Sequence, residues 1–166
     1  MKKLALLLLC ILPMGVFAQN KLGHINTQEL LGLMPERDSI ENALSTLAKE
    51  YENELAKMTE EYYAKIQEFQ QKEATMAASI KEARQSEIME MEQRIQTFRQ
   101  QASTDLQRQQ EVLMTPVVQK IKAAIDEVGQ ENGFTYIFDT SAQIILHQGQ
   151  GATDVMPQVK AKLGIK

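Results

Sequence analysis

Apolar side chains recur between residues 40 and 69 at gaps of four, four and three. The repeat spans 11 residues and occurs three times: Ile40, Leu44, Leu47; Tyr51, Leu55, Met58; and Tyr62, Ile66, Phe69. Eleven residues over three turns give about 3.67 residues per turn, which is typical of a long, nearly straight or slightly right-handed coiled helix. Because residues 36–115 contain neither glycine nor proline, the pattern predicts helix throughout this range.

A single helical rod of that length would reach about 120 Å and leave its apolar stripe exposed. The stripe thins at residues 74–78, and Ser79 with Glu82 three positions on has the capping-box pattern of a helix start. We therefore expect a helical hairpin over residues 36–116, with its tip near 75–79 and arms of about 60 Å. One uninterrupted helix is the alternative, since alanine, glutamate and lysine all favour helix.

The return arm should end in a small packed body. Pro116 is expected to kink the arm near its base, and residues 117–128 are more apolar than the arm. Gly129 and Gly133 are predicted to end this helix.

The flanks of the hairpin show strand and short-helix patterns. Strands are predicted at 21–26, 134–138 and 143–147, with a turn at Asp139–Ser141. Thr27 should cap a short helix over 28–34, and Thr153 or, better, Asp154 should cap a last helix with Val155, Val159 and Leu163 on one face. The fold class is α+β, mostly α, with a body formed by residues 19–35 and 117–166. Because three short strands bury little surface in one copy, we expect the body to oligomerise.

Residues 1–18 have the pattern of a cleaved secretory signal peptide. Lys2 and Lys3 precede an apolar run over 4–12, and small residues stand at Val16 and Ala18. The run is too short for the roughly 18 to 20 residues of a membrane span, which disfavours an anchor. Cleavage after Ala18 would remove the only cysteine and leave 16 basic against 22 acidic residues. These features predict an exported, periplasmic protein that does not bind nucleic acid.

Catalytic and metal-binding motifs are not evident in the sequence. His24 and His147 are the only histidines, and no third ligand is patterned near them. Asp139-Thr140-Ser141 is interpreted as an ordinary turn. We expect no enzyme activity and no cofactor.

The arms instead offer a polar surface with adaptable apolar groups. Ten glutamines lie between residues 70 and 110, and Tyr63, Met76 and Met89 fall beside the apolar stripe. Flexible methionine and tyrosine among neutral polar groups suit weak contact with many sequences, so these three residues are our candidates for binding other polypeptides. Alternatively, they broaden the helical seam or decorate a solvated face.

Several segments together resemble the Skp/OmpH family of periplasmic chaperones. They are KLGHINTQELL near the start, the long hairpin rich in Gln, Glu and Lys, TPVVQKIKAAIDEVGQENGFTYIFD, and IILHQGQGATDVMPQVKAKLG at the end. The resemblance implies a homotrimer whose strands form a central β-barrel and whose three hairpins surround a cavity. It also implies that the protein holds unfolded outer-membrane proteins there without ATP.

One property departs from the best-known members of that family, which are strongly basic. Residues 36–71 carry nine acids and four bases. This acidic arm argues against electrostatic capture of clients and against a lipopolysaccharide or membrane-surface site. The rival interpretation is a structural or adaptor coiled coil that bridges components of the cell envelope.

Overall fold

The computed structural model describes residues 20–165, so the predicted signal peptide lies outside the described residues. Within that range the elements follow the order β1 (Leu22–Ile25), α1 (Thr27–Gly32), α2 (Glu36–Lys72), a 3₁₀ turn (Glu73–Thr75), α3 (Ala78–Asn132), β2 (Tyr136–Asp139), β3 (Ala152–Asp154) and α4 (Met156–Leu163). Helices α2 and α3 form a long hairpin, and the remaining elements surround its base. The predicted fold class, a mostly helical α+β chain built on a helical hairpin, is confirmed.

The turn of the hairpin differs from the predicted capping box. Helix α3 begins at Ala78 with Ala77 as its N-cap and without a side-chain cap, so the prediction that Ser79 caps it is wrong. The backbone N–H groups of Ile80 and Lys81 both donate to the Ala77 carbonyl at 3.0 Å. Alanine favours helix, so the helix extends past Ser79 towards the turn. Lys81 also forms a 2.6 Å ion pair with Glu73, which ties the start of α3 to the preceding 3₁₀ turn.

Helix α3 continues through Pro116 and Gly129. The prediction that Gly129 ends it is wrong: the helix reaches Asn132, and Gly133 provides the left-handed C-cap at φ 67°. A Cβ at position 129 would lie 3.4 Å from Ile137 Cδ1, which is an ordinary van der Waals contact. One glycine within a helix costs only about 1 kcal/mol, which is too little to end a helix of this length.

The three strands form one parallel sheet in the order β2-β1-β3. The predicted strand at 143–147 is wrong, and β3 lies at Ala152–Asp154 instead. β1 has only two edges, and within one chain β2 and β3 occupy both. Ile144 and Leu146 consequently remain 76% and 98% exposed.

Two predicted helix caps are also replaced by their neighbours. Asn26, not Thr27, caps α1 by accepting a 3.0 Å hydrogen bond from the Glu29 N–H. Thr27 is unavailable because its N–H and hydroxyl both donate to the Asp139 carboxylate. At α4 the N-cap is Val155 rather than Asp154, although the Asp154 carboxylate accepts from the Met156 N–H at 2.9 Å.

The core of the body lies where the base of the hairpin meets the sheet and the short helices. Its buried members come from every helix of the chain, from β1 and from the segment that joins α1 to α2: Ile25, Leu30, Met34, Ile40, Val117, Ile121, Ala124, Val128, Val155 and Val159. As predicted, Val155 and Val159 face inward, and Leu163 packs against them. Because α3 supplies four of these residues, the return arm is anchored in the body.

Candidate functional site

The two arms meet along an apolar seam. Met91 and Ile95 are buried, and the Tyr51 and Phe98 rings pack edge to face with centroids 5.9 Å apart. Paired apolar stripes of this kind are the contact expected in an antiparallel helical pair. The repeating stripe in the sequence is therefore used mainly to close the hairpin.

One edge of the hairpin carries a series of internal polar contacts. Lys65 on α2 pairs with Glu87 on α3, and Arg84 lies 2.7 Å from the same carboxylate. Hydrogen bonds from Lys65 and then Arg84 lower the pKa of Glu87. Closer to the base, Arg108 pairs with Asp105, which also accepts a hydrogen bond from Tyr51. We call this side of the hairpin the charged edge.

The opposite side of the hairpin carries an open groove of about 800 Å³ at its base. Its apolar lining comes from α1, α2 and α3 and includes Leu31, Leu44, Ala48, Leu106 and Met114. Its polar lining includes Ser45 on α2 and Ser103, Gln107 and Gln110 on α3. An apolar concavity with a few polar groups at its rim is a common form of binding site.

Tyr63 and Met89 lie on the same side of the hairpin as this groove. Tyr63 is 18 residues beyond Ser45, and Met89 is 18 residues before Gln107. Since 18 residues make five turns, each residue projects in the same direction as its groove-lining counterpart. Tyr63 is 59% exposed and Met89 is 63% exposed. The structure thus brings two of the three candidate residues to one face, above the groove.

Met76 lies elsewhere. It is half-buried at the turn of the hairpin, beside Phe69 and Ile88 and close to the charged side chains of Arg84 and Glu87. The structure therefore groups Met76 with the charged edge and not with Tyr63 and Met89.

The groove itself was missed by sequence reasoning. Gln107 and Gln110 belong to the glutamine-rich segment that the sequence displays. Leu31, however, reaches the groove from a short helix more than 70 residues away along the chain from Ser103. No local pattern indicates that contact.

The body carries a second surface, formed by exposed apolar side chains. Tyr136 and Phe138 stack at 6.0 Å between ring centroids, and Leu22, Ile144 and Leu146 are also exposed. Exposed apolar groups of this size on a small body are typical of protein interfaces. A depression of about 640 Å³ beside them is lined by Phe138, Ile145 and His147.

The two histidines have different surroundings. His24 contacts Gln148 through its Nε2 atom, and His147 lines the depression beside the sheet. Within residues 20–165 no group of three or more His, Cys, Asp or Glu side chains is arranged to hold a metal ion. Asp139 serves a local turn, accepting from the Ser141 N–H at 2.9 Å.

These features define a class of protein: a long antiparallel helical hairpin mounted on a small α/β body, with separate surfaces on the arm and on the body. The family model described as outer membrane protein (OmpH-like) matches residues 21–163. The chain belongs to this OmpH-like family.

Similar proteins include several named as Skp chaperones. The chain is 25% identical to chaperone protein Skp of Pectobacterium atrosepticum over 147 residues, which cover 88% of this chain and 89% of that protein. It is also 25% identical, over the same length, to chaperone protein Skp of Photorhabdus laumondii. A crystal structure described as an OmpH-like outer membrane chaperone from Caulobacter crescentus CB15 has a TM-score of 0.73 at 16% identity. That likeness covers 88% of this chain and 85% of the other, and it establishes a shared fold.

None of the helices between residues 20 and 165 combines the length and the apolar character that a membrane crossing requires.

Proposed function

We propose that this protein is a periplasmic holdase chaperone that binds unfolded outer-membrane proteins and prevents their aggregation without ATP. The observation that carries the proposal is the single face of the hairpin on which an open groove, Tyr63 and Met89 lie together. Membership of the OmpH-like family and similarity to proteins named Skp chaperones support the choice of client.

Binding on this face would rest on many weak contacts. Burial of apolar client surface contributes about 25 cal/mol per Å² before the entropic costs of association, so contacts in the groove and against Tyr63 and Met89 must act together. A holdase that binds only the unfolded chain lowers the concentration free to aggregate by mass action. This mode of action needs no nucleotide.

We further propose that the body forms a homotrimer. Support comes from the exposed apolar surface that includes Tyr136, Phe138 and Leu146, and from the trimeric barrel that the family resemblance implies. We place the protein in the periplasm on the basis of the signal-peptide pattern in residues 1–18.

Light scattering on the purified mature protein tests these proposals together. An outer-membrane barrel diluted from urea should aggregate alone and stay soluble when about one trimer is present per barrel. A monomeric species that leaves the barrel to aggregate would contradict the assignment. A structural spacer of the cell envelope, the rival function, would also leave the barrel to aggregate.

Point variants then test which face binds. Tyr63→Ser and Met89→Ser should each weaken client binding by a few-fold, because each removes exposed apolar contact area. Val112→Ser is the matched control, since Val112 is also exposed at 57% but lies 23 residues from Met89, about 140° around the same helix. An equal loss of affinity in all three variants would argue against a dedicated face.

Salt dependence separates apolar from electrostatic capture. Residues 36–71 are net acidic, and the charged edge pairs its groups internally through Lys65, Glu87, Asp105 and Arg108. We therefore expect client affinity to change little between low and high ionic strength. A steep loss of affinity with added salt would show that charge supplies the attraction.

A further inference from the structure

Helix α3 displays a continuous line of exposed, uncharged side chains between residues 85 and 110. Six of the eight glutamines in this range belong to it: Gln85, Gln93, Gln96, Gln100, Gln107 and Gln110. The other two members are Met89 and Ser103, and the gaps along the line are four, four, three, four, three, four and three. We call these eight residues the glutamine track.

The spacing places the glutamine track on one strip of the helix. At 100° per residue the eight side chains stay within a sector of about 100° of the helix surface. The 25 steps from residue 85 to residue 110 correspond to about 37 Å along the helix axis. The strip ends at Glu82 on the tip side and at Glu111 on the body side, while Glu92 and Arg99 follow one of its borders. Glu92 projects in the same direction as Gln110, 18 residues further on, so one carboxylate stands at the border of the strip, while the eight track residues themselves carry no charge.

The track leads into the groove. Ser103, Gln107 and Gln110 line the groove together with apolar side chains such as Leu44 and Leu106. The cross-arm contacts of the charged edge, Lys65 with Glu87 and Tyr51 with Asp105, lie on the other side of the apolar seam. One face of the hairpin thus combines an uncharged polar strip with an apolar cavity at its lower end.

The chemistry of this face matches an unfolded polypeptide in extended conformation. Each glutamine amide offers two donors and an acceptor, so it can pair with either a backbone C=O or a backbone N–H. An extended chain without a partner strand presents both groups at every residue, whatever its sequence. Apolar side chains of the same segment, which lie on alternate sides of the chain, could enter the groove.

We propose that the glutamine track holds backbone segments of unfolded outer-membrane proteins, with their apolar side chains seated in the groove at its base. This inference rests on the holdase function proposed above and names the chemistry of the contact. An anionic lipid surface is a poorer occupant because the track carries no cation. A second hairpin is also a poorer occupant, because its apolar stripe is already used in its own seam.

A pair of adjacent glutamines provides the test. Gln100→Glu places one negative charge on the track and removes an amide donor, whereas Gln101→Glu makes the same change about 100° around the helix and off the track. Both residues are exposed, and both substitutions keep a strong helix former. The readout is the Kd of the full mature protein for a fluorescently labelled outer-membrane barrel diluted from urea, at one fixed ionic strength.

We expect Gln100→Glu to weaken binding by about threefold or more and Gln101→Glu to leave it within experimental error. An equal loss of affinity in both variants would show that net charge causes the effect, and it would overturn the track. Unchanged affinity in both variants would also overturn it. A photo-crosslinking residue at position 100 should capture the client, and one at position 101 should not. If the wild-type protein fails to bind the barrel, both the holdase function and the glutamine track are contradicted. If the wild-type protein binds but Gln100→Glu and Gln101→Glu have the same Kd, only the glutamine track is contradicted.

Discussion

Tyr51 on the outgoing arm donates a 2.7 Å hydrogen bond to the Asp105 carboxylate on the return arm, 54 positions away in the sequence. The same tyrosine ring packs edge to face on Phe98. Tyr51 therefore connects the apolar seam to the charged edge, and a single side chain fixes both the spacing and the register of the two helices at this level.

Replacing Tyr51 with phenylalanine should keep the ring contact and remove the hydrogen bond. The pKa of Asp105 is held below its usual value first by Arg108 and then by the Tyr51 hydroxyl. Both donors favour the charged carboxylate, so Tyr51→Phe should raise the pKa of Asp105 part of the way towards its ordinary value. Carbon-13 NMR titration of the Asp105 carboxyl group measures this change.

Tyr62→Phe is the matched control for that titration. Tyr62 is half-buried in the same seam, 11 residues along α2 from Tyr51, and its ring packs beside that of Tyr63 with centroids 5.5 Å apart. The control should leave the Asp105 titration unchanged. An identical change in both variants would mean that the carboxylate responds to general loosening of the hairpin.

Helix α1 and its C-cap residue, Leu33, offer a direct comparison between a buried and an exposed leucine. Leu30 is fully buried in the core, while Leu33, three residues later, is 42% exposed. Leu30→Ala should lower the free energy of unfolding by about 2–5 kcal/mol, because it removes buried methyl groups and leaves a cavity. Leu33→Ala should change it by less than about 0.5 kcal/mol.

Urea denaturation of both variants at one protein concentration checks this expectation. Keeping the concentration fixed matters because an oligomer gains apparent stability with concentration. Similar losses in the two variants would show that Leu33 is covered in the assembled protein.

The helical part of the fold could be predicted because its information is local. Periodic apolar residues such as Tyr51 and Ile66 specify one helical face at a time, and the absence of glycine and proline between 36 and 115 leaves helix uninterrupted. The strand-like patterns at 21–26 and 134–138 likewise predicted strands on both sides of the hairpin. Neither source of information locates a contact between distant segments.

The errors arose where tertiary contacts decide between local options. The segment at 143–147 has a strand-like sequence, but the two edges of β1 are taken by β2 and by Ala152–Asp154. Thr27 has the chemistry of a helix cap, but Asp139 binds it from 112 positions away. The groove likewise exists only after α1 packs against the base of both arms, which no periodicity in the sequence reveals.

Glycine at position 133 is required by the backbone and not by packing. Its φ is 67°, and a Cβ built there would meet nothing within 4 Å. Gly133→Ala should therefore lower the free energy of unfolding by about 1–2 kcal/mol through left-handed backbone strain alone. Gly151→Ala is the control, since position 151 is equally open and its φ lies outside the left-handed region. Thermal unfolding followed by circular dichroism should separate the two, and equal melting temperatures would show that the C-cap of α3 tolerates a side chain.

The Asp139 carboxylate should make the stability of the body depend on acid pH. Burial alone would raise its pKa, but hydrogen bonds from the Thr27 hydroxyl and from the Thr27 and Ser141 N–H groups outweigh burial and lower the pKa below its ordinary value. Between the folded and unfolded pKa values the unfolded chain binds more protons than the folded chain does. The contribution of the Asp139 carboxylate to the free energy of unfolding is therefore complete above the unfolded pKa of about 3.9. It is lost as the pH falls through the folded pKa.

Asp139→Asn tests that dependence. At pH 7 the variant should be less stable than wild type by about 1 kcal/mol. This loss is smaller than that expected for a buried charged acceptor, because solvent screens the exposed carboxylate. The difference from wild type should shrink as urea denaturation is repeated from pH 7 down to about pH 2, since protonation removes the charge from the wild-type residue as well. Asp126→Asn, which removes an exposed carboxylate that accepts a hydrogen bond from Gln130 in its own helix, controls for the loss of one negative charge. A constant difference between Asp139→Asn and wild type across this pH range would mean that the hydrogen bonds to Thr27 and Ser141 do not depend on the carboxylate charge.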